Sequence, residues 1–386
     1  MSAFTESEER RELRKAVAQL GAKYGADYFH RAAVEGRKTT ELWAEAGKLG
    51  YLGVSIPEEF GGGGGDIGDL AAVCEELATA GCPLLLMVVS PAIVGTTIAQ
   101  YGTQEQKERW LPGLADGTAT YAFSITEPDA GSNSHNIITN AERTEDGWVL
   151  NGGKTYISGV DEASHLLVVA RRSDAKTGKL KPALFMVPTD AEGFTKQQIE
   201  MGIVSPEKQF TLFFDDVRLP EDALIGSEDA GLEQLFAGLN PERIMAASMA
   251  TGSARWALAK AVAYAKEREV WGKPIGAHQA ISHPLARLHI SIEMARLLTQ
   301  KSAALYAAGD LMGAGEAANM AKVAAGEAAA DTIDQAIQTH GGNGLATEYG
   351  LVHALAGSRL SNIAPVSREM ALNFVAQFSL GLPKSY

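Results

Sequence analysis

A chain of 386 residues, 46% of them apolar and 21% charged, has the balance of a folded protein and the length for two or three domains. Lys and Arg number 34 against 47 Asp and Glu, and a net charge of −13 argues against nucleic acid or an anionic membrane as the main partner. The two cysteines, Cys74 and Cys82, exclude a disulfide framework or a Cys-rich zinc site and read as buried thiols.

In chain order, residues up to about 120 read as helices. The stretches 6–24, 40–49, 66–80, 91–101 and 105–111 carry apolar positions three and four apart. The first fifteen residues are charged and lack the apolar core of a signal peptide, which suggests a cytoplasmic protein. Thr103 ahead of Gln106 marks a helix start. At Tyr121 the pattern changes to short β-rich runs, 121–125, 148–157, 166–170, 183–188 and 209–217, separated by Gly and Asp turns. From Gly231 helical periodicity returns, with 241–268, 278–308, 313–340 and 368–377 rich in Ala, Leu and Met. The longest apolar stretch, 244–254, is about half a membrane span. The expectation is an α+β chain of three parts: an N-terminal helical domain (1–120), a middle antiparallel β domain (121–225) and a C-terminal four-helix bundle (226–386).

Gly63, Gly65 and Gly68 satisfy G-x-G-x-x-G ahead of a helix, but no buried strand precedes them and helix lies on both sides, so they read as a surface turn. Thr126-Glu127-Pro128-Asp129-Ala130-Gly131-Ser132 follows a strand with small and hydroxyl residues that let a flat or phosphorylated ligand approach. Lys154-Thr155-Tyr156-Ile157-Ser158 adds an aromatic face and a hydroxyl, equally consistent with core packing. Arg268-Glu269-Val270-Trp271-Gly272 and Gln338-Thr339-His340-Gly341-Gly342-Asn343-Gly344 join glycine amides to an arginine, as a phosphate site does, or form helix C-caps. The eight histidines show no metal-ligand spacing, and no G-x-S-x-G elbow is present.

With Glu58-Glu59-Phe60-Gly61-Gly62, Tyr101-Gly102-Thr103-Gln104 and Asn151-Gly152-Gly153-Lys154, these motifs stand in an order that resembles the acyl-CoA dehydrogenase family over nearly the whole chain. The resemblance implies FAD between the β domain and the bundle. Phe123, Ile125, Thr126, Gly131 and Ser132 would line the cofactor, with Tyr156, Ile157 and Ser158 beside its ring. Arg268, Trp271, Gln279, Gln338, Gly341 and Gly342 would reach the FAD of a neighbouring subunit, which implies a homo-oligomer, a tetramer or a dimer. The implied reaction is α,β-dehydrogenation of an acyl-CoA thioester to a trans-2-enoyl-CoA, with an electron-transfer flavoprotein as acceptor. A CoA-thioester oxidase, a desulfinase-like enzyme or a non-catalytic flavin- or CoA-binding protein on the same fold stays open.

Many members carry the catalytic base in a Tyr-Glu-Gly-Thr segment, where this chain has Ile363-Ala364-Pro365-Val366-Ser367. The isovaleryl-type subgroup places it on a bundle helix, which here selects Glu242, 26 residues before Arg268, with Glu369 as the weaker candidate. Asn240 and Arg243 beside it, and Ser132, would meet the substrate. Locally Asn240 reads as an N-cap, Pro241 as the first helical residue, and Glu242 as a first-turn carboxylate kept ionised by the helix dipole and Arg243. Pro365 has no N–H to polarise a thioester carbonyl.

Overall fold

The structure, a computed structural model, describes residues 6–173, 180–227 and 231–385, without the side chains of 231–233, 235 and 236. The first five residues of the charged N-terminal segment lie outside that description. The N-terminal part packs α1 (Glu8–Val34), α2 (Thr40–Lys48), α3 (Ile67–Thr79), α4 (Leu85–Met87), α5 (Thr96–Tyr101) and α6 (Gln104–Ala115). A π-helical stretch, Val88–Gly95, joins α4 to α5 and houses Pro91. The Gly63–Gly68 motif opens α3: Asp66 and Asp69 form a capping box, and Arg10 binds both carboxylates at 2.7 Å. A guanidinium already satisfies the charges at this helix start, so it is a cap and no phosphate cradle.

Four elements meet at a buried ionic knot. Glu75 and Glu76 on α3 are 5% and 7% exposed. Glu75 takes Arg14 at 2.8 Å, and Arg255 and Arg296 each at 2.7 Å, while Glu76 takes Arg14 and Arg255. Burial pushes the Glu75 carboxyl up, and Arg14, Arg296 and Arg255 outweigh it, so its pKa ends below 4.5. A depressed carboxylate contributes stability above its unfolded pKa and loses it as pH falls through the folded one. Glu75→Ala is expected to cost about 3–5 kcal/mol, because it strips the shared anion from three cations. The fall in urea midpoint at pH 7 measures this, and the difference from wild type should shrink below about pH 4.

The middle part is one seven-stranded sheet: β1 (Tyr121–Ser124), β2 (Asn140–Thr144), β3 (Gly147–Ser158), β4 (His165–Ser173), β5 (Leu180–Pro188), β6 (Phe194–Ile199) and β7 (Gln209–Leu219). Its order is β1-β4-β2-β3-β7-β6, with β5 paired to β4. The sheet is antiparallel as expected, except that β1 and the start of β2 run parallel to β4. The edge strand β6 has four exposed central residues, so the apolar alternation that betrays a strand is missing from its sequence.

The C-terminal part is the bundle α7 (Gly231–Glu267), α8 (Gln279–Ala307), α9 (Leu311–His340) and α11 (Leu351–Ile363), with the hairpin β8 (Glu269–Val270)–β9 (Lys273–Pro274), a short α10 (Gly342–Leu345) and α12 (Arg368–Phe374). Ala254, Ala257 and Ala261 of α7 share a core with Ala321, Ala325 and Ala328 of α9, and small side chains let the two axes approach closely. Among the described residues no helix is long and apolar enough to cross a membrane, and no group of three His, Cys, Asp or Glu is placed to hold a metal.

Candidate functional site

The sheet gathers one set of expected residues at the end shared by β1 and β3. Phe123 lies on β1, Ile125 and Thr126 leave its end half-buried, and Gly131 and Ser132 are exposed on the following turn. Tyr156, Ile157 and Ser158 close β3, and Thr155 N–H donates to Thr126 O at 2.9 Å, tying the two segments together. Ile157 is buried, Tyr156 is 60% exposed, and Ser158 Oγ donates to Gln209 Oε1 at 3.0 Å.

A buried ion pair holds this turn in shape. Lys154 is 0% exposed, and its ammonium donates to Glu127 Oε1 at 2.8 Å and to Ile125 O at 3.0 Å. The Glu127 carboxylate also accepts the Ile138 and Thr139 N–H groups at 2.6 and 3.0 Å. One carboxylate thus anchors both ends of the loop that carries Thr126, Gly131 and Ser132. Burial pulls the Lys154 pKa down to about 8, opposed by Glu127, so it stays cationic at neutral pH. Sequence reading quoted both residues inside motifs but assigned neither a role, because a partner 27 positions away shows only in the fold.

A second expected set lies at one end of the bundle. Arg268 precedes the β8–β9 hairpin and Trp271 sits in its turn, Gln279 begins α8, Gln338 lies in the last turn of α9, Gly341 follows α9 and Gly342 opens α10, all exposed. Tyr264 stacks on His340 at 4.2 Å and accepts from Asn343 Nδ2 at 3.1 Å, locking the ends of α7 and α9 together. Among the described residues no hydrogen bond or ion pair joins this set to the β-sheet set. Only three described non-glycine residues have positive φ, and two are the aromatics of these sets, Tyr156 (57°) and Trp271 (54°). Left-handed backbone at a bulky residue is strained and persists where the surroundings impose it. Gly131, Gly341 and Gly342 meet nothing within 4 Å of where a Cβ would sit. Open backbone beside exposed aromatic faces fits a large flat cofactor with a phosphate chain.

At Glu242 the structure corrects the local reading. Asn240 is no N-cap and Pro241 no first residue; both lie inside α7, which begins at Gly231. Proline in a helix interior orphans the carbonyl four residues earlier. Here that carbonyl, Ala237 O, accepts from Tyr306 Oη at 3.2 Å, and Gln100 Nε2 donates to the same hydroxyl at 2.8 Å. A long-range donor thus stands in for the missing N–H, and the helix passes through. Asn240 Nδ2 is turned to Leu311 O at 3.3 Å.

Glu242 therefore sits well beyond the first turn, where the helix dipole adds nothing. Its side chain is half-buried, and burial raises its pKa to about 7 against the opposing charge of Arg243. The expected lowering by dipole and cation is reversed in direction, because dehydration outweighs the one nearby cation. Arg243 Nη1 donates to Leu239 O at 2.9 Å, and its buried Nε–H has no partner among the described residues. The other candidate, Glu369, is an exposed carboxylate paired with Arg368 at 2.8 Å. Its own backbone N–H and the Arg368 side chain hold its pKa below 4.5. Sequence reading missed Lys322 on α9, 2% exposed, whose Nζ donates to Val366 O. A single lysine amid Ala318, Ala321 and Ala325 is the available signal, since a solvated lysine has no need of so small a face.

Family models described as the N-terminal, middle and C-terminal domains of acyl-CoA dehydrogenase match residues 7–118, 122–217 and 229–380. The chain is 61% identical over 385 residues to acyl-CoA dehydrogenase FadE12 of Mycobacterium tuberculosis, covering 100% of this chain and 99% of that one. The solved butyryl-CoA dehydrogenase of Megasphaera elsdenii superposes with a TM-score of 0.91 at 30% identity, covering 98% and 99%. A glutaryl-CoA dehydrogenase of Mycobacterium smegmatis in complex with FADH2 gives 0.88 at 27%, covering 99% and 96%.

Proposed function

The chain belongs to the acyl-CoA dehydrogenase family, an oxidoreductase, and we propose that it removes the α-proton and β-hydride of an acyl-CoA thioester with Glu242 as the base. Its cofactor is FAD, in keeping with the FADH2 complex of the M. smegmatis neighbour, and when bound FAD supplies the hydride acceptor. What carries the reading is the half-buried Glu242 carboxyl inside α7, which burial raises toward neutrality, next in the chain to Arg243, whose buried Nε–H has no partner among the described residues. A base with a pKa near the working pH combines a useful ionised fraction with the greatest proton affinity. Burial from water also strengthens its pull on a weakly acidic C–H.

In this reading Phe123, Ile125, Thr126, Gly131, Ser132, Tyr156, Ile157 and Ser158 hold the flavin of their own subunit. Arg268, Trp271, Gln279, Gln338, Gly341 and Gly342 serve a neighbour's, so the active form is a homo-oligomer, a tetramer before a dimer. Arg243 and Ser132 face the substrate, while Asn240, with its amide committed to Leu311, acts by fixing α7. The chain divides at 120/121 and 225/226, works in the cytoplasm and passes electrons to an electron-transfer flavoprotein.

Anaerobic mixing of the FAD-loaded protein with straight, branched and cyclic acyl-CoAs tests this. At least one is expected to bleach the flavin absorbance and yield a 2-enoyl-CoA, with little peroxide in air. Stoichiometric peroxide would make the protein an oxidase instead, and no bleaching by any thioester would remove the reading.

A further inference from the structure

A proline inside a helix removes one hydrogen bond and leaves the helix free to bend there. In α7 that point is Pro241, one residue before the proposed base. The two halves of α7 are fixed to different neighbours. Beyond the proline, Ala254, Ala257 and Ala261 pack on α9. Before it, Gly238 lies so close to α5 and the stretch leading into it that a Cβ would meet Ile93 Cγ2 at 2.8 Å and Thr97 Oγ1 at 2.9 Å. Glu242 sits at the joint, so the bend there decides how far its carboxyl is kept from water.

One bond braces the joint from outside. Tyr306, in the last turn of α8, donates through Oη to Ala237 O, the carbonyl that Pro241 leaves free. Gln100 Nε2 donates to the same phenol oxygen, so the phenol's own proton is turned to Ala237 O. Burial pushes the Tyr306 pKa up, and the donor keeps its proton at neutral pH. Ala237 is buried, so loss of this donor would leave its carbonyl unpaired away from bulk water. A bend that exposes the carbonyl would then be favoured, and Glu242 would move with it.

We propose that Tyr306 is a positioning residue for proton abstraction: by occupying the carbonyl freed by Pro241, it fixes the bend of α7 and holds the Glu242 carboxyl in its dehydrated place. The inference rests on the reading of Glu242 as the base. Neither the phenol nor Gln100 takes part in the chemistry directly; both act through the backbone of α7. Proline at this position and tyrosine on α8 thus work as a pair, and each should matter only in the presence of the other.

The experiment follows anaerobic bleaching of the FAD-loaded protein by a turned-over acyl-CoA against pH, with the dissociation constant of the thioester measured alongside. It compares wild type, Tyr306→Phe, Pro241→Ala and the double variant. Tyr306→Phe is expected to slow bleaching at saturating thioester by about 10- to 100-fold, the cost of a reacting group displaced by an ångström or less, with the dissociation constant nearly unchanged. Its acid limb should move down from about 7 toward the ordinary glutamate range as the carboxyl regains water. Pro241→Ala returns a backbone N–H to Ala237 O, so it should keep the wild-type rate and, added to Tyr306→Phe, restore both rate and limb. A loss of ring packing alone would not be rescued in this way. A further readout needs no turnover: the gain in melting temperature that Glu242→Gln brings at pH 8 should shrink in the Tyr306→Phe background. If Tyr306→Phe fails to fold, Gln100→Glu carries the test. A carboxylate there draws the phenol proton away from Ala237 O with the ring left in place, and it should reproduce the slowing and the shifted limb. Wild-type rate and acid limb in folded Tyr306→Phe, or an equal cost of that change with and without Pro241→Ala, would overturn the proposal alone. Wild-type bleaching by Glu242→Gln would overturn the base assignment and the proposal together.

Discussion

Glu242→Gln is expected to lower the rate of flavin bleaching by acyl-CoA by about 10⁴-fold, the upper end for loss of a positioned general base, without releasing FAD. In the wild type the same carboxyl should appear as an acid limb, with the rate falling tenfold per pH unit below about 7 as the base is protonated. The substitution has a second consequence, of opposite sign. The folded pKa of about 7 lies above the 4.5 of a glutamate in water, so ionisation opposes folding. That cost is absent below about pH 4.5, grows through the interval, and above about pH 7 reaches at most about 3 kcal/mol. An inactive Glu242→Gln protein that melts higher than wild type at pH 8, but not at pH 4.5, is therefore the expected pair of results. Matching melting curves at pH 8 would show that the carboxyl is not dehydrated.

Lys154→Met carries the second large effect. It leaves the Glu127 carboxylate buried with two backbone donors and no cation, a loss of about 3–5 kcal/mol. The loop bearing Thr126, Gly131 and Ser132 loses its anchor at Ile125 as well. The expected outcome is a folded protein purified colourless or with weakened FAD affinity, measured by flavin fluorescence on titration of the apoprotein. Replacing both charges, Glu127→Gln with Lys154→Met, should recover part of the stability but not the affinity, because neutral side chains leave the loop ends unpinned. Full FAD affinity in the single variant would assign the ion pair to stability alone.

The three-part order was legible because the period of apolar residues changes from helical to strand-like near residue 121 and back near 231. Capping at Thr103 was equally local, and it forms a capping box with Gln106. What local pattern hid was long-range. Pro241 reads as a helix start to any local rule, but it lies inside α7, where Tyr306 of another helix bonds the carbonyl it leaves free. The fate of Glu242 followed from that error: a first-turn carboxylate is ionised by its dipole, an interior one by its neighbours, and here the neighbours offer one cation and little water. Lys154 and Lys322 were invisible as structural cations because their partners, Glu127 and Val366 O, lie 27 and 44 positions away. Polar β6 hid for the opposite reason: an exposed edge carries no alternation to read.

The central claim is that Glu242, on the bundle helix, is the base, in place of the segment around Pro365. Anaerobic rapid mixing of FAD-loaded wild type, Glu242→Gln and Glu369→Gln with a turned-over acyl-CoA tests it directly. Wild type and Glu369→Gln should lose flavin absorbance at similar rates, while Glu242→Gln binds the thioester and stays yellow. Rapid bleaching by Glu242→Gln, or its loss in Glu369→Gln alone, would contradict the account.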